Sequence, residues 1–362
     1  MNLGDLIDET GKLVLPEGMT VIEDDAFFGT PELTAIEIPG SVTEIGEGAF
    51  MQCESLASIV VSPDNGYYKS VDNCCLSKDG RRLIFGCKNS IIPEGVTEIC
   101  CGAFSGCAGL TSVEIPESVN TVGGLAFYGC SGLSSITVSE NNAGFVSVNN
   151  CCLTKDKETL VFGCKDSVIP EGVKTVGGFA FRNCTGLTSI EIPDSVTKID
   201  DCAFGGCSGL TSVKLPGGKI EIGALAFEDC PGLTSIEISE NITKVGNFAF
   251  SDCRGLISVV IQSSATEIGK GVFSGCAGLT SIEIPDSLSE RFTNIFDSLK
   301  DNASITVRVT EKLPDRAKNV LRIADLSSPS VITLKVPAGC GEAYRQHPDF
   351  GGKFWEILEL GD

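Results

Sequence analysis

Cysteine is the most reactive side chain in this chain, and 18 of the 362 residues are cysteines. Eight of them, Cys53, Cys107, Cys130, Cys184, Cys207, Cys230, Cys253 and Cys276, each stand three residues after a phenylalanine. One position used so often describes a stack rather than a set of pairs. Neighbouring strands lie ~4.8 Å apart, so stacked Cβ atoms fall near the upper limit of the ~3.5–4.5 Å that a disulfide tolerates. Free, buried thiols are therefore expected, acting as small hydrophobes and weak hydrogen-bonding groups. Cys74-Cys75, Cys100-Cys101 and Cys151-Cys152 are adjacent pairs and lack the C-x-x-C spacing of zinc and redox sites. No metal and no cofactor are assigned.

His347 is the single histidine, in Gln346-His347-Pro348, which reads as a turn. A Ser–His or Cys–His site would need that residue, and no Gly-x-Ser-x-Gly elbow precedes it. No phosphate-cradling G-x-x-x-x-G-K run occurs. Carboxylates are plentiful, but nothing singles out a working pair. No catalytic residue is assigned. The net charge is -21, from 48 acidic and 27 basic residues. That repels nucleic acid and anionic lipid and leaves cationic partners open. No stretch approaches the ~20 apolar residues of a membrane span. The first residues, MNLGDLIDETGKLVLPEG, are acidic and lack the basic-then-apolar order of a secretory signal.

A repeat must position these residues. In LTSIEIPDSVTKIDDCAFGGC, Leu187, Ile190, Ile192, Val196, Ile199, Ala203, Phe204 and Cys207 stand at the same offsets as Leu110, Val113, Ile115, Val119, Val122, Ala126, Phe127 and Cys130. Phe27, Phe50, Phe104, Phe127, Phe181, Phe204, Phe227, Phe250 and Phe273 serve as a ruler. Most steps are 23 residues, and two are 54. Such a period marks a stacked solenoid whose units cover one another's apolar flanks. The alternation in Leu110 to Ile115 predicts a short half-buried strand, stopped by Pro116. The two long gaps copy each other at an offset of 77: NCCLSKDGRRLIFGCK from Asn73, and NCCLTKDKETLVFGCK from Asn150. Each predicts a hairpin, with Asp79-Gly80 as a tight turn in the first copy, where the second has Lys155-Asp156-Lys157-Glu158 and no glycine. After residue 285 the pattern fades. Residues 286–300 read as a helix, 305–309, 331–336 and 355–360 as strands, and 341–347 as a short helix.

The unit L-x-x-I-x-I-P-x-S-V-T-x-I-G-x-x-A-F-x-x-C resembles the BspA-like leucine-rich repeats over about residues 13–285. The resemblance implies a β-rich, right-handed leucine-rich-repeat solenoid with short strands, turns and an α+β C-terminal cap. The array is placed at 1–285, with inserted 31-residue blocks near 62–96 and 139–173, and the cap at 286–362. It also implies a non-enzymatic protein-binding protein, an adhesin-like module at the bacterial surface or secreted, whose partners include host matrix proteins. A cytoplasmic interaction scaffold is the alternative. An enzyme with its site in the C-terminal segment is the third reading.

Two candidate binding features follow. Residues four after each strand leucine point away from the core and include Glu37, Glu114, Glu191, Lys214, Glu237 and Glu283. Glu never occupies two consecutive ruler units, which avoids like charges on adjacent strands, and Lys214 can pair with Glu191 or Glu237. Tyr67, Tyr68 and Phe145 in the long blocks are either loop anchors or packing residues.

Overall fold

The structure is a computed structural model, and residues 6–262, 267–283, 305–308, 332–346 and 356–359 are described. It divides into two compact units, residues 1–170 with 179–187, and residues 171–178 with 188–362. Each is a leucine-rich-repeat β-solenoid built from parallel ladders.

The alternation read from the sequence sets which side of each strand is buried. In Ser112–Ile115 the order is exposed, buried, exposed, buried. Ser112 faces Ser135 and Glu114 faces Thr137 in parallel register, 23 residues on. Equal spacing puts like residues side by side, so the apolar positions of successive coils merge into one core. A second, shorter ladder follows each proline, as in Val21–Ile22 beside Glu44–Ile45.

The phenylalanine corner forms a third line of contacts. In the first unit, Phe27 and Phe50 stack 5.4 Å apart at 4°, and Phe104 and Phe127 5.3 Å apart at 4°. The Phe27 amide donates to Ala49 O at 2.9 Å, and the Phe104 amide to Ala126 O at 2.7 Å. None of the eighteen cysteines is joined in a disulfide, and the eight of the ladder are buried. The ladder thiols have a job beyond filling space. Cys53 Sγ donates to Phe27 O, one coil back, at 3.1 Å, and Cys130 Sγ to Phe104 O at 3.1 Å. A thiol is compact enough for the stack and still supplies a donor to a buried carbonyl, where a methyl group would leave that acceptor less satisfied.

The long blocks are coils rather than additions hung on one. Phe85 stacks on Phe50 at 4.5 Å and Phe162 on Phe127 at 4.2 Å, so each block extends the aromatic column. The ruler misses them because Phe85 comes 35 residues after Phe50 and 19 before Phe104. Gly86 follows Phe85 because the Phe104 ring lies against it; a Cβ there would sit 2.2 Å from a ring carbon. The predicted hairpin is present, Cys74–Ser77 antiparallel to Arg82–Phe85, and it gains a third antiparallel strand, Tyr68–Val71. The second block repeats this with Phe145–Val148, Cys151–Thr154 and Thr159–Phe162. The joint between the first two strands is Asp72-Asn73 in one copy and Asn149-Asn150 in the other, all four at positive φ. Both residues of such a turn take the left-handed region, which Asn and Asp tolerate.

A buried asparagine clamps each block. Asn65 Nδ2 donates to Pro39 O and Val42 O at 2.9 Å, while its Oδ1 accepts from the amides of Tyr67 and Tyr68 at 2.8 and 2.7 Å. Asn142 does the same with Pro116, Val119, Gly144 and Phe145.

In the second unit, Thr175–Val176, Lys198–Ile199, Ile220–Ile222, Ile242–Val245 and Glu267–Ile268 form one parallel ladder. The other face carries Ser189–Glu191 beside Ser212–Lys214. Beyond it, Ser235–Ile238, Ser258–Ile261, Ser281–Glu283, Ile305–Arg308, Ile332–Val336 and Glu356–Glu359 follow in order. Parallel pairing thus continues past residue 285, where the sequence repeat fades. The period-2 alternation of Ile305-Thr-Val-Arg is enough to sustain it. The short helix is Gly341–Gln346. The predicted 286–300 helix and His347 lie outside the described residues.

Candidate functional site

Two surfaces are built by the ladders. The first is the face of the longer strands. In the first unit Val14, Glu37 and Val60 are register partners on adjacent strands. Lys12 Nζ lies 2.7 Å from the Glu37 carboxylate, across one strand gap. Glu114 stands beside Thr137, away from the Glu37 ladder. In the second unit, Glu191 and Lys214 are register partners and form an ion pair. That hydrogen bond favours the charged ammonium and raises the Lys214 pKa. Both side chains are well exposed, so the pair adds little to stability. Of the two partners open to Lys214, the structure selects Glu191. Glu237 instead takes a hydrogen bond of 2.6 Å from Gln262 Nε2, with Val260 as its register partner. Glu283 is the next register position after Val260. Among the residues whose side chains are described, the face therefore presents its charges on separate ladders: Glu37, Glu114, the Glu191–Lys214 pair, and Glu237.

The three aromatics of the long blocks part company. Tyr67 is 57% exposed. Tyr68 begins a strand, is half-buried, and accepts a hydrogen bond from the Ile45 amide at 3.1 Å. Burial raises its pKa. Phe145 is 8% exposed and belongs to the apolar core, so it packs rather than anchors.

The second surface is a pair of grooves along the shorter ladders. One, in the first unit, measures about 540 Å³ and is lined by Tyr67, Tyr68, Arg82, Glu98, Cys100 and Cys101 among others. Arg82 Nε donates to Glu98 at 3.0 Å, and its Nη2 lies 3.5 Å from Cys100 Sγ. Burial pushes both groove thiols up in pKa, with Arg82 acting against this at Cys100 and Glu47 adding to it at Cys101. Neither thiol is thereby primed as a nucleophile. The other groove, in the second unit, measures about 670 Å³. Across it Lys198, Glu221, Lys244 and Glu267 follow one another in register with alternating sign. Lys198 also pairs with Asp200 at 2.7 Å, which raises its pKa. The grooves escaped the sequence reading. The alternation Lys, Glu, Lys, Glu at steps of 23 is a visible signal, but it falls on strands of only two to four residues.

Among the described residues, no group of three or more His, Cys, Asp or Glu is placed to hold a metal ion. No helix among them is long and apolar enough to cross a membrane.

The family model for the BspA type leucine rich repeat region matches residues 8–78, 85–158 and 174–303, in six copies. The chain belongs to the BspA-type leucine-rich repeat family. Among solved structures, it is similar to the pneumococcal vaccine antigen PcpA, with 18% identity and a TM-score of 0.50 over 97% of this chain and 80% of that one. It is also similar to a leucine rich cell surface protein from Faecalibacterium prausnitzii, at 26% identity and a TM-score of 0.47, covering 75% of this chain and 87% of that one. A leucine-rich repeat protein from Eubacterium ventriosum matches at 20% identity and 0.42, covering 90% and 75%. A search of curated proteins finds no match. As a BspA-type repeat protein the chain fits the general role of this repeat class, binding other proteins through an extended surface.

Proposed function

We propose that this BspA-type protein is a non-enzymatic binding module, adhesin-like and placed at the bacterial surface or secreted, that recognises host or microbial proteins. The observation that carries this reading is the face of the longer strands. There, register pairing holds Ser112 and half-buried Ser135, exposed Glu114 and Thr137, or exposed Glu191 and Lys214, side by side. Side chains held by a ladder lose little further freedom on binding, and preorganisation of that kind lowers the cost of association. Surface placement rests on the family resemblance. The test is binding of the purified chain to a panel of host matrix proteins, with charge reversal at Glu191→Lys and Lys214→Glu. A saturable interaction weakened by reversal supports the proposal. No binding to any member, or binding indifferent to both reversals, overturns it.

A cytoplasmic scaffold is the second reading, favoured by eighteen cysteines that form no disulfide, since a reducing compartment keeps thiols reduced. Thiol counting by mass spectrometry on protein taken directly from the native cell, together with its fractionation, separates the two.

A further inference from the structure

The negative charge is concentrated at one end of the sequence. Residues 1–68 hold 13 acidic residues against Lys12 alone, a net of −12 out of the chain's −21. The described residues among them, from 6 onward, build the first coils, whose longer-strand face has an unusual centre. Val14 is 49% and Val60 48% exposed, and they flank Glu37 in direct register. Solvent-facing positions elsewhere in these strands are mostly hydroxyls and charges, so two valines left in water on either side of one carboxylate form a small apolar–anionic–apolar strip. Exposed Glu32 and Glu54 stand before the two following strands, and exposed Asp64 stands after the last. The single local cation, Lys12, is held only by a surface ion pair with Glu37, which costs about 1 kcal/mol or less to break.

Spacing identifies the partner's shape. Successive coils lie ~4.8 Å apart, so Val14 and Val60 are separated by about 10 Å with Glu37 midway. In a helix, residues i and i+7 are about 10.5 Å apart along the axis, with i+3 and i+4 between them on the same face. An extended strand offers same-face residues only every ~7 Å and misses the midpoint. We infer that the face of the first three coils receives a cationic amphipathic helix of a partner protein. Its aliphatic residues at i and i+7 meet Val14 and Val60, and its Lys or Arg at i+3 or i+4 meets Glu37. This rests on the protein-binding reading above and names the partner's chemistry and its landing site.

The probe is a labelled, alanine-rich helical peptide with Leu at i and i+7 and Arg at i+3 and i+4. A second peptide of the same composition places Leu and Arg on opposite faces. Binding to the full chain is read by fluorescence anisotropy at low and physiological salt. The patterned peptide is expected to bind at least about tenfold tighter than its isomer, and to weaken as salt rises. Glu37→Lys with Val60→Ser should weaken it by about tenfold or more, and Val14→Ser separately by a few-fold. A double variant away from this face, Val168→Ser with Glu171→Lys, both exposed, should leave it unchanged. Equal binding of the two peptides, equal effects of the two double variants, or no binding at all overturns the inference. Should the matrix panel bind the chain regardless of Glu37 and Val60, the general protein-binding role stands and this landing site falls. If panel and peptide both fail, both readings fall. All three residues are solvent-facing, so thermal unfolding of each variant should match the parent.

Discussion

The two long blocks, 62–96 and 139–173, share a backbone and differ in their chemistry. What holds the coil together is repeated: Asn65 and Asn142, Cys74 and Cys151, Ser90 and Ser167. Ser90 Oγ donates to Asn73 O and Ser167 Oγ to Asn150 O, both at 2.6 Å. What meets solvent is not. Tyr67 becomes Gly144 and Arg82 becomes Thr159, and just past the blocks Cys100-Cys101 becomes Gly177-Gly178. One copy has groove-lining groups where the other has small ones. Duplication preserved the rules of packing and left the outward positions free to diverge, which separates structural residues from candidate binding residues without any homologue.

That division can be broken experimentally. The largest effect should come from alkali. Burial pushes Cys74 and Cys151 up to about 12. With the folded-state value above the unfolded one, their contribution is complete below about pH 8.5. It is lost as pH climbs toward 12, because the unfolded chain ionises first. Each such thiol should cost on the order of 1 kcal/mol per pH unit in that window. Denaturant midpoints at pH 8 and pH 10 check this, and an unchanged midpoint would place the thiols outside the core. Next, Phe85→Ala and Phe162→Ala should each cost roughly 3–5 kcal/mol, as much as Phe204→Ala in a regular coil. If the blocks were ornaments, their phenylalanines would cost far less. Asn65→Ala and Asn142→Ala should each cost about 2–3 kcal/mol by stranding buried backbone groups. Hydrogen exchange should localise each loss to its own block. The smallest effect is at the hairpin turns, Gly80 at φ 80° and Lys157 at φ 63°. Lys157→Gly should stabilise and Gly80→Lys destabilise, each by about 1 kcal/mol or less, read from thermal melts.

Much of this was legible in the sequence. Leu, Ile, Phe and Cys at fixed offsets announced the coil, and the eightfold recurrence of Cys announced unpaired thiols. The strand alternation also told which residues face water. The rest was hidden for physical reasons. Phe85 and Phe162 keep their place in the aromatic column while breaking the 23-residue count, because the inserted strands lengthen one side of the coil only. Tyr68-Lys-Ser-Val71 carries little apolar alternation, and its pairing rests on the Asp72-Asn73 turn and on Asn65. Which cation meets which carboxylate depends on where ladders are interrupted. Glu237 stands at the next ruler position after Lys214, yet it bonds to Gln262. The grooves arise from three or four coils acting jointly, which no single stretch of residues displays.

The bond from ladder thiols such as Cys53 and Cys130 to the phenylalanine carbonyl one coil earlier has a mechanical side. In the second unit it recurs from Cys230 to Phe204, Cys253 to Phe227 and Cys276 to Phe250, at 3.1–3.3 Å. Tension applied along such a stack reaches these rungs one after another. Coils joined in this way should resist pulling as a zipper does, giving way tooth by tooth, with a sulfur at each such tooth.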